Sequence, residues 1–160
     1  MSKPNSTFVY VTYIRATPER LWSALTNAEF TRQYWLKAKL EAEWKKGGAW
    51  KMSFPDGRVA DTGEITEYNP PKHLALRWRN EFMPEFKAEG WSLCTMELEP
   101  VPGGSVKLTV THSMERENSK FIVAVSNGWP QILSNLKSLL ETGAIVVGGE
   151  ISPERHGART

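Results

Sequence analysis

Residues 119–143 read SKFIVAVSNGWPQILSNLKSLLETG, and their periodicity decides the fold. Phe121, Val125, Ile132, Leu136, Leu139 and Leu140 recur at steps of three, four and seven, which places one apolar stripe along a long helix. Gly143 follows Leu140-Glu141-Thr142, where a left-handed residue would close that helix. Asn127-Gly128-Trp129-Pro130 opposes it, since in a helix interior Gly costs about 1 kcal/mol and Pro about 3 relative to Ala. A kinked long helix is expected, the alternative being a short turn ahead of a helix that starts near Asn127. Upstream the chain reads as short strands and turns. The stripe therefore has one surface to bury against, the face of the sheet those strands form.

Outward from the helix, residues 105–112 alternate, with Val106, Leu108, Val110 and His112 on the inward face. Pro102-Gly103-Gly104 turns the chain back to a strand over residues 89–99, where Cys94, Met96 and Leu98 share a face. Residues 80–88 read as a loop displaying Phe82, Met83 and Phe86. Residues 73–79 put Leu74, Leu76 and Trp78 opposite His73, Arg77 and Arg79. Asn69-Pro70-Pro71 ends a strand over 59–68, and Pro55-Asp56-Gly57 separates that strand from 49–54, with Trp50, Met52 and Phe54 on one face. Residues 37–44 alternate weakly, as an edge strand does. Thr17-Pro18 and Asn27 open two short helices after a first strand over 8–15.

This order predicts an α+β fold: a curved antiparallel sheet of about six or seven strands wrapped around the C-terminal helix. Residues 8–143 form the domain, with flexible ends at 1–7 and 144–160. A straight cylinder cannot fill a saddle, so a cavity is expected between helix and sheet.

The chain has 160 residues, 40% hydrophobic and 24% charged, enough for one domain with a sizeable core. Its 20 basic and 18 acidic residues are interspersed and leave +2, which gives no basic stripe for nucleic acid. No apolar run is long enough to span a bilayer, and the polar MSKPNST start lacks the core of a signal peptide. Cys94 is the only cysteine, so a reducing, cytoplasmic setting is expected. Three scattered His and one Cys make no zinc spacing, and no glycine loop matches a phosphate cradle. Neither a metal nor a cofactor is expected.

Five segments in register, ATPERLWSALT, GGAW, TGEITEYNPPKHLALRW, CTMELEPVPGGSVKLTVTHS and the GW…LK..LE.G helix, resemble the START-like helix-grip superfamily (SRPBCC). More narrowly they resemble the branch of the C-terminal domain of the heat-shock chaperone ATPase activator, over roughly residues 8–143. The resemblance implies a seven-stranded antiparallel sheet gripping the last helix around an apolar cavity. It implies no particular reaction, since lipid carriers, polyketide cyclases and hormone receptors share it. The chaperone activator also carries a separate N-terminal domain, which a chain whose first strand starts near Phe8 is expected to lack.

Candidate chemistry centres on His112, whose inward parity allows an imidazole to anchor a ligand or act as acid or base. The plainer alternative is a core histidine hydrogen-bonded locally, which the general satisfaction of buried polar groups favours. Glu64 is a candidate general base beside it if its strand register turns it inward. Cys94 lacks a neighbour that would activate it and reads as core. Trp50, Met52, Trp78, Cys94, Met96, Val110, His112, Phe121, Val125 and Trp129 are the candidate ligand-binding residues. A small hydrophobic or aromatic molecule is the expected occupant. The alternatives are a cyclase- or hydrolase-like enzyme using His112 and Glu64, or a chaperone-linked or homodimeric module built on the 82–86 loop.

Overall fold

The computed structural model describes residues 5–149. β1 (Ser6–Ile14) leads into α1 (Pro18–Thr26), whose N-cap Thr17 accepts a hydrogen bond from the Arg20 N–H. Asn27 caps α2 (Ala28–Tyr34) in the same way, accepting from the Glu29 N–H. Four strands follow: β2 (Lys39–Ala42), β3 (Ala49–Ser53), β4 (Val59–Asn69) and β5 (His73–Asn80). After α3 (Pro84–Glu89), β6 (Ser92–Val101) and β7 (Ser105–Met114) precede α4 (Lys120–Thr142). The seven strands form one antiparallel sheet in the order β1-β7-β6-β5-β4-β3-β2. The two short helices thus carry the chain from one edge of the sheet to the other. The strands then meander back until β7 pairs with β1, and α4 lies across the concave face.

Expected and observed elements agree in order, but over residues 80–91 the expected loop and the start of the expected 89–99 strand are taken up by α3 and its cap, and β6 begins only at Ser92. Phe86, read as displayed, is buried against Phe121 with ring centroids 5.8 Å apart. Burial explains why so short a helix persists, and its last residue works for α4. The Glu89 carboxylate accepts from Ser119 Oγ at 2.6 Å and from the Lys120 N–H at 2.9 Å, where a helix N-terminus attracts negative charge. Ser119 itself caps α4, and Gly143 closes it at φ +84°, its N–H donating to the Leu139 carbonyl.

α4 runs as one helix through Pro130. Nearby carbonyls gain side-chain partners: Val123 accepts from Ser126 Oγ and Asn127 Nδ2, and Asn127 accepts from Gln131 Nε2. The helix comes closest to β1 and stands further off β3, β4 and β5, so large side chains must span the wider side. Trp50 begins that span. Its indole N–H crosses β4 to donate to the Arg77 carbonyl at 3.0 Å, and Gly63 leaves the room. A Cβ on Gly63 would stand 1.6 Å from the Arg77 oxygen and 2.5 Å from Trp50 Nε1.

The segment after α4, expected as a loose tail from Ala144, is tied back through Val147. Fully buried Asn135 accepts from the N–H groups of Val146 and Val147 and donates to the carbonyls of Val147 and Tyr34. His156 and the rest of the expected tail lie outside the described residues.

Candidate functional site

Where α4 stands off the sheet, the side chains do not close the gap. A pocket remains between the helix, the end of α2 and strands β3 to β5, lined by Trp35, Met52, Asp61, Trp78, Phe121 and Trp129 among others. The space open to a water's centre is ≈ 80 Å³. One water needs roughly 10–15 Å³ on that measure, so the pocket has room for several waters or one small ring system. Its walls are mostly aromatic. The rings of Trp35, Trp78 and Trp129 lie within 5.1–6.3 Å of one another, and Phe82, against Phe54, stands at the rim.

Asp61 is the one ionisable side chain among the lining residues, and the sequence reading passed over it. It pairs with Met52 on one side and Asn80 on the other, both inward, and is only 9% exposed. Burial pushes its carboxyl up to about 7, the Glu81 charge adds to the rise, and Trp78 and Asn80 pull the other way. Those two neighbours lend an indole N–H and an amide N–H, yet neither Trp78 Nε1 nor Asn80 Nδ2 makes a full hydrogen bond with any group. One carboxyl and two unspent donors therefore meet at the polar end of an apolar pocket. Glu81 lies outside it, held to about 2 because hydrogen bonds from Arg79, Thr62 and Lys87 outweigh its partial burial.

His112 does point inward, and it is fully buried beneath the pocket rather than in its wall. Trp129 Nε1–H donates to His112 Nδ1 at 3.2 Å. Nδ1 is therefore an acceptor, and Nε2 carries the proton toward Ser92 Oγ at 2.8 Å. Ser92 in turn donates to the Trp78 carbonyl at 3.0 Å. With both ring nitrogens occupied, the imidazole is a neutral structural link. Burial lowers its pKa to about 3, so the ring does not take up a second proton near neutrality.

Of the ten candidate ligand-binding residues, Met52, Trp78, Phe121, Val125 and Trp129 line the pocket. Trp50, Cys94, Met96, Val110 and His112 are buried and do not line it. Trp50 is screened from the pocket by Trp78, 4.6 Å away centroid to centroid. Burial raises the Cys94 thiol far above its usual range, which leaves it inert. Glu64 is exposed, sharing a cross-strand row with Arg77, Leu93 and Ser113, whereas His112 shares the opposite face with Cys94 and Leu76. The sheet lies between Glu64 and His112, so they cannot work as an acid–base pair. His73 is half-buried, its ring against Glu67 and Glu97. Among the described residues no three His, Cys, Asp or Glu side chains gather as metal ligands, and no helix is long and apolar enough to cross a membrane.

Comparison with known proteins agrees with this architecture. Over 70 residues, 43% of this chain, the sequence is 39% identical to the activator of 90 kDa heat shock protein ATPase homolog 1 of Mus musculus. That stretch spans only 19% of the mouse protein's length. The crystal structure of protein MLL2253 from Mesorhizobium loti matches with a TM-score of 0.71 at 28% identity, covering 85% of this chain and 97% of that one. The Aha1 dimer from Colwellia psychrerythraea gives 0.70 at 22% identity, covering 86% and 98%, a likeness of fold. The family model for activator of Hsp90 ATPase homolog 1-like proteins matches residues 15–141, and the chain belongs to that family, the branch its sequence segments resemble.

Proposed function

We propose that this protein binds a small hydrophobic or aromatic molecule between α4 and the β3–β5 side of the sheet. The observation that carries the reading is the open pocket walled by Trp35, Trp78, Trp129 and Phe121. Apolar burial at about 25 cal/mol per Å² would supply most of the affinity.

Gly128 gives a clean test. It lines the pocket, and a Cβ built on it meets nothing within 4 Å. Gly128→Leu should fill the pocket while removing the glycine penalty in α4, stabilising the fold by up to about 1 kcal/mol. Titration with 2-methoxynaphthalene, read through indole emission, should show saturable binding to the native protein and at least roughly tenfold weaker binding to the variant. Equal binding by both would place the probe elsewhere and sink the reading.

A second reading, a protein-interaction module or homodimer, draws on edge strand β1. Val9, Val11 and Tyr13 are 54%, 45% and 52% exposed there, a stripe of apolar side chains on one free edge. This surface replaces the 82–86 loop as the candidate interface. Sedimentation velocity should then find a dimer that Val11→Lys converts to monomer. A native protein that is monomeric throughout would remove the dimer version.

A further inference from the structure

The pocket's polar end has an electrostatic sign. Asp61 is its sole ionisable lining residue, and the charge that acts on Asp61 from nearby is that of Glu81, also negative. The basic side chains of this region are engaged elsewhere. Arg79 and Lys87 pair with Glu81 at 2.7 and 3.1 Å, and Arg77 and Arg79 lie over the Trp91 ring at 4.3 and 4.6 Å. The aromatic walls add in the same sense, because the face of an indole or phenyl ring presents negative charge. An anionic ligand would meet the like charges of Asp61 and Glu81 and would compete with an ionised Asp61 for the two N–H donors, and a purely apolar one would leave the carboxyl buried and unanswered. Trp78 Nε1 and Asn80 Nδ2, both buried and unspent, are donors that an ionised Asp61 satisfies.

Resting on the small-molecule reading above, we propose that the pocket's ligand carries a cationic nitrogen, an aromatic or alicyclic amine whose ammonium group meets Asp61 and the indole faces. The ammonium completes the arrangement. Asp61 becomes the shared acceptor for two protein N–H groups and for the ligand N–H, while the ring system fills the space beneath Trp35, Trp78 and Trp129. The specificity is for charge first and ring shape second.

Three isosteric probes test this on the native protein at pH 8: 2-phenylethylamine, 2-phenylethanol and phenylacetate. The amine should bind about tenfold more tightly than the alcohol, the range expected for a desolvated cation over aromatic rings, with phenylacetate weakest. Asp61→Asn should abolish the preference for the amine, bringing its affinity to that of the alcohol on the same variant. The alcohol or phenylacetate binding as well as the amine would overturn the amine assignment and leave the pocket reading standing. None of the three binding, with 2-methoxynaphthalene also failing, would overturn both. The probe series needs no variant, so it decides even if Asp61→Asn misfolds.

Discussion

His112→Ala should cost about 4 kcal/mol of stability, seen as a fall in thermal midpoint of roughly 10 °C. Two losses add. Removing a fully buried imidazole leaves a cavity under Trp78 and Phe121, whose rings stand 5.1 and 5.4 Å from it. It also strips partners from the Trp129 indole N–H and from Ser92 Oγ, each a buried group that costs about 1–3 kcal/mol when unsatisfied. His112→Phe restores most of the volume but neither hydrogen bond, so it should recover only about half the loss. A drop under 1 kcal/mol in urea unfolding of His112→Ala would show that the imidazole is not the structural link described here.

Asp61→Asn should act in the opposite direction, and increasingly as pH rises. The carboxyl titrates at about 7 in the folded protein against 3.8 in an open chain, chiefly because it is buried. The folded state therefore holds the proton more tightly, and the stability this confers is complete below pH 3.8 and is lost as pH rises through 7. At pH 8 the folded protein carries a buried carboxylate at a cost of about 4 kcal/mol. Asparagine removes that cost, so the variant should melt roughly 10 °C higher at pH 8, with the gap closing by about pH 4.

His112 supplies an independent check. Its folded pKa of about 3 lies below the ordinary 6.5, so its contribution is present above pH 6.5 and is lost as pH falls toward 3. Between pH 4 and 6.5 the two slopes cancel in the native protein. Asp61→Asn should unmask the histidine and make stability fall with acid across that window. A variant less stable than the native protein at pH 8 would mean that Asp61 ionises without penalty and would refute the assignment.

The elements that sequence reading placed well are those whose signal is local. α4 shows its stripe within its own residues, and Ser119, Thr17, Asn27 and Gly143 mark helix ends by side-chain or backbone chemistry that needs no tertiary partner. α3 was missed because six residues starting at Pro84 look like a loop until Phe121 arrives to bury Phe86. At the site, alternation was read correctly for His112 but could not reveal that Trp129 and Ser92 would occupy both its nitrogens. Asp61 shares parity with Ile65 and Gly63, so its inward direction was legible. An acidic residue in a strand invites the opposite reading, and the irregular register at Met52 and Ser53 obscures the strand opposite. Glu64 drew attention with the wrong parity.

The hydrogen-bonded chain from Trp129 through His112 and Ser92 to the Trp78 carbonyl begins on one wall of the pocket and ends on the strand that carries the other. It is a strut of fixed length, and it sets the gauge of the slot before anything enters. A guest of the proposed kind would then forfeit its own freedom of motion but need not freeze that of its host, which would raise affinity without adding a single contact. On the small-molecule reading proposed above, the same rigidity would make the slot a thickness filter: flat rings would enter without disturbing it, and bulkier frames would first have to break a buried hydrogen bond.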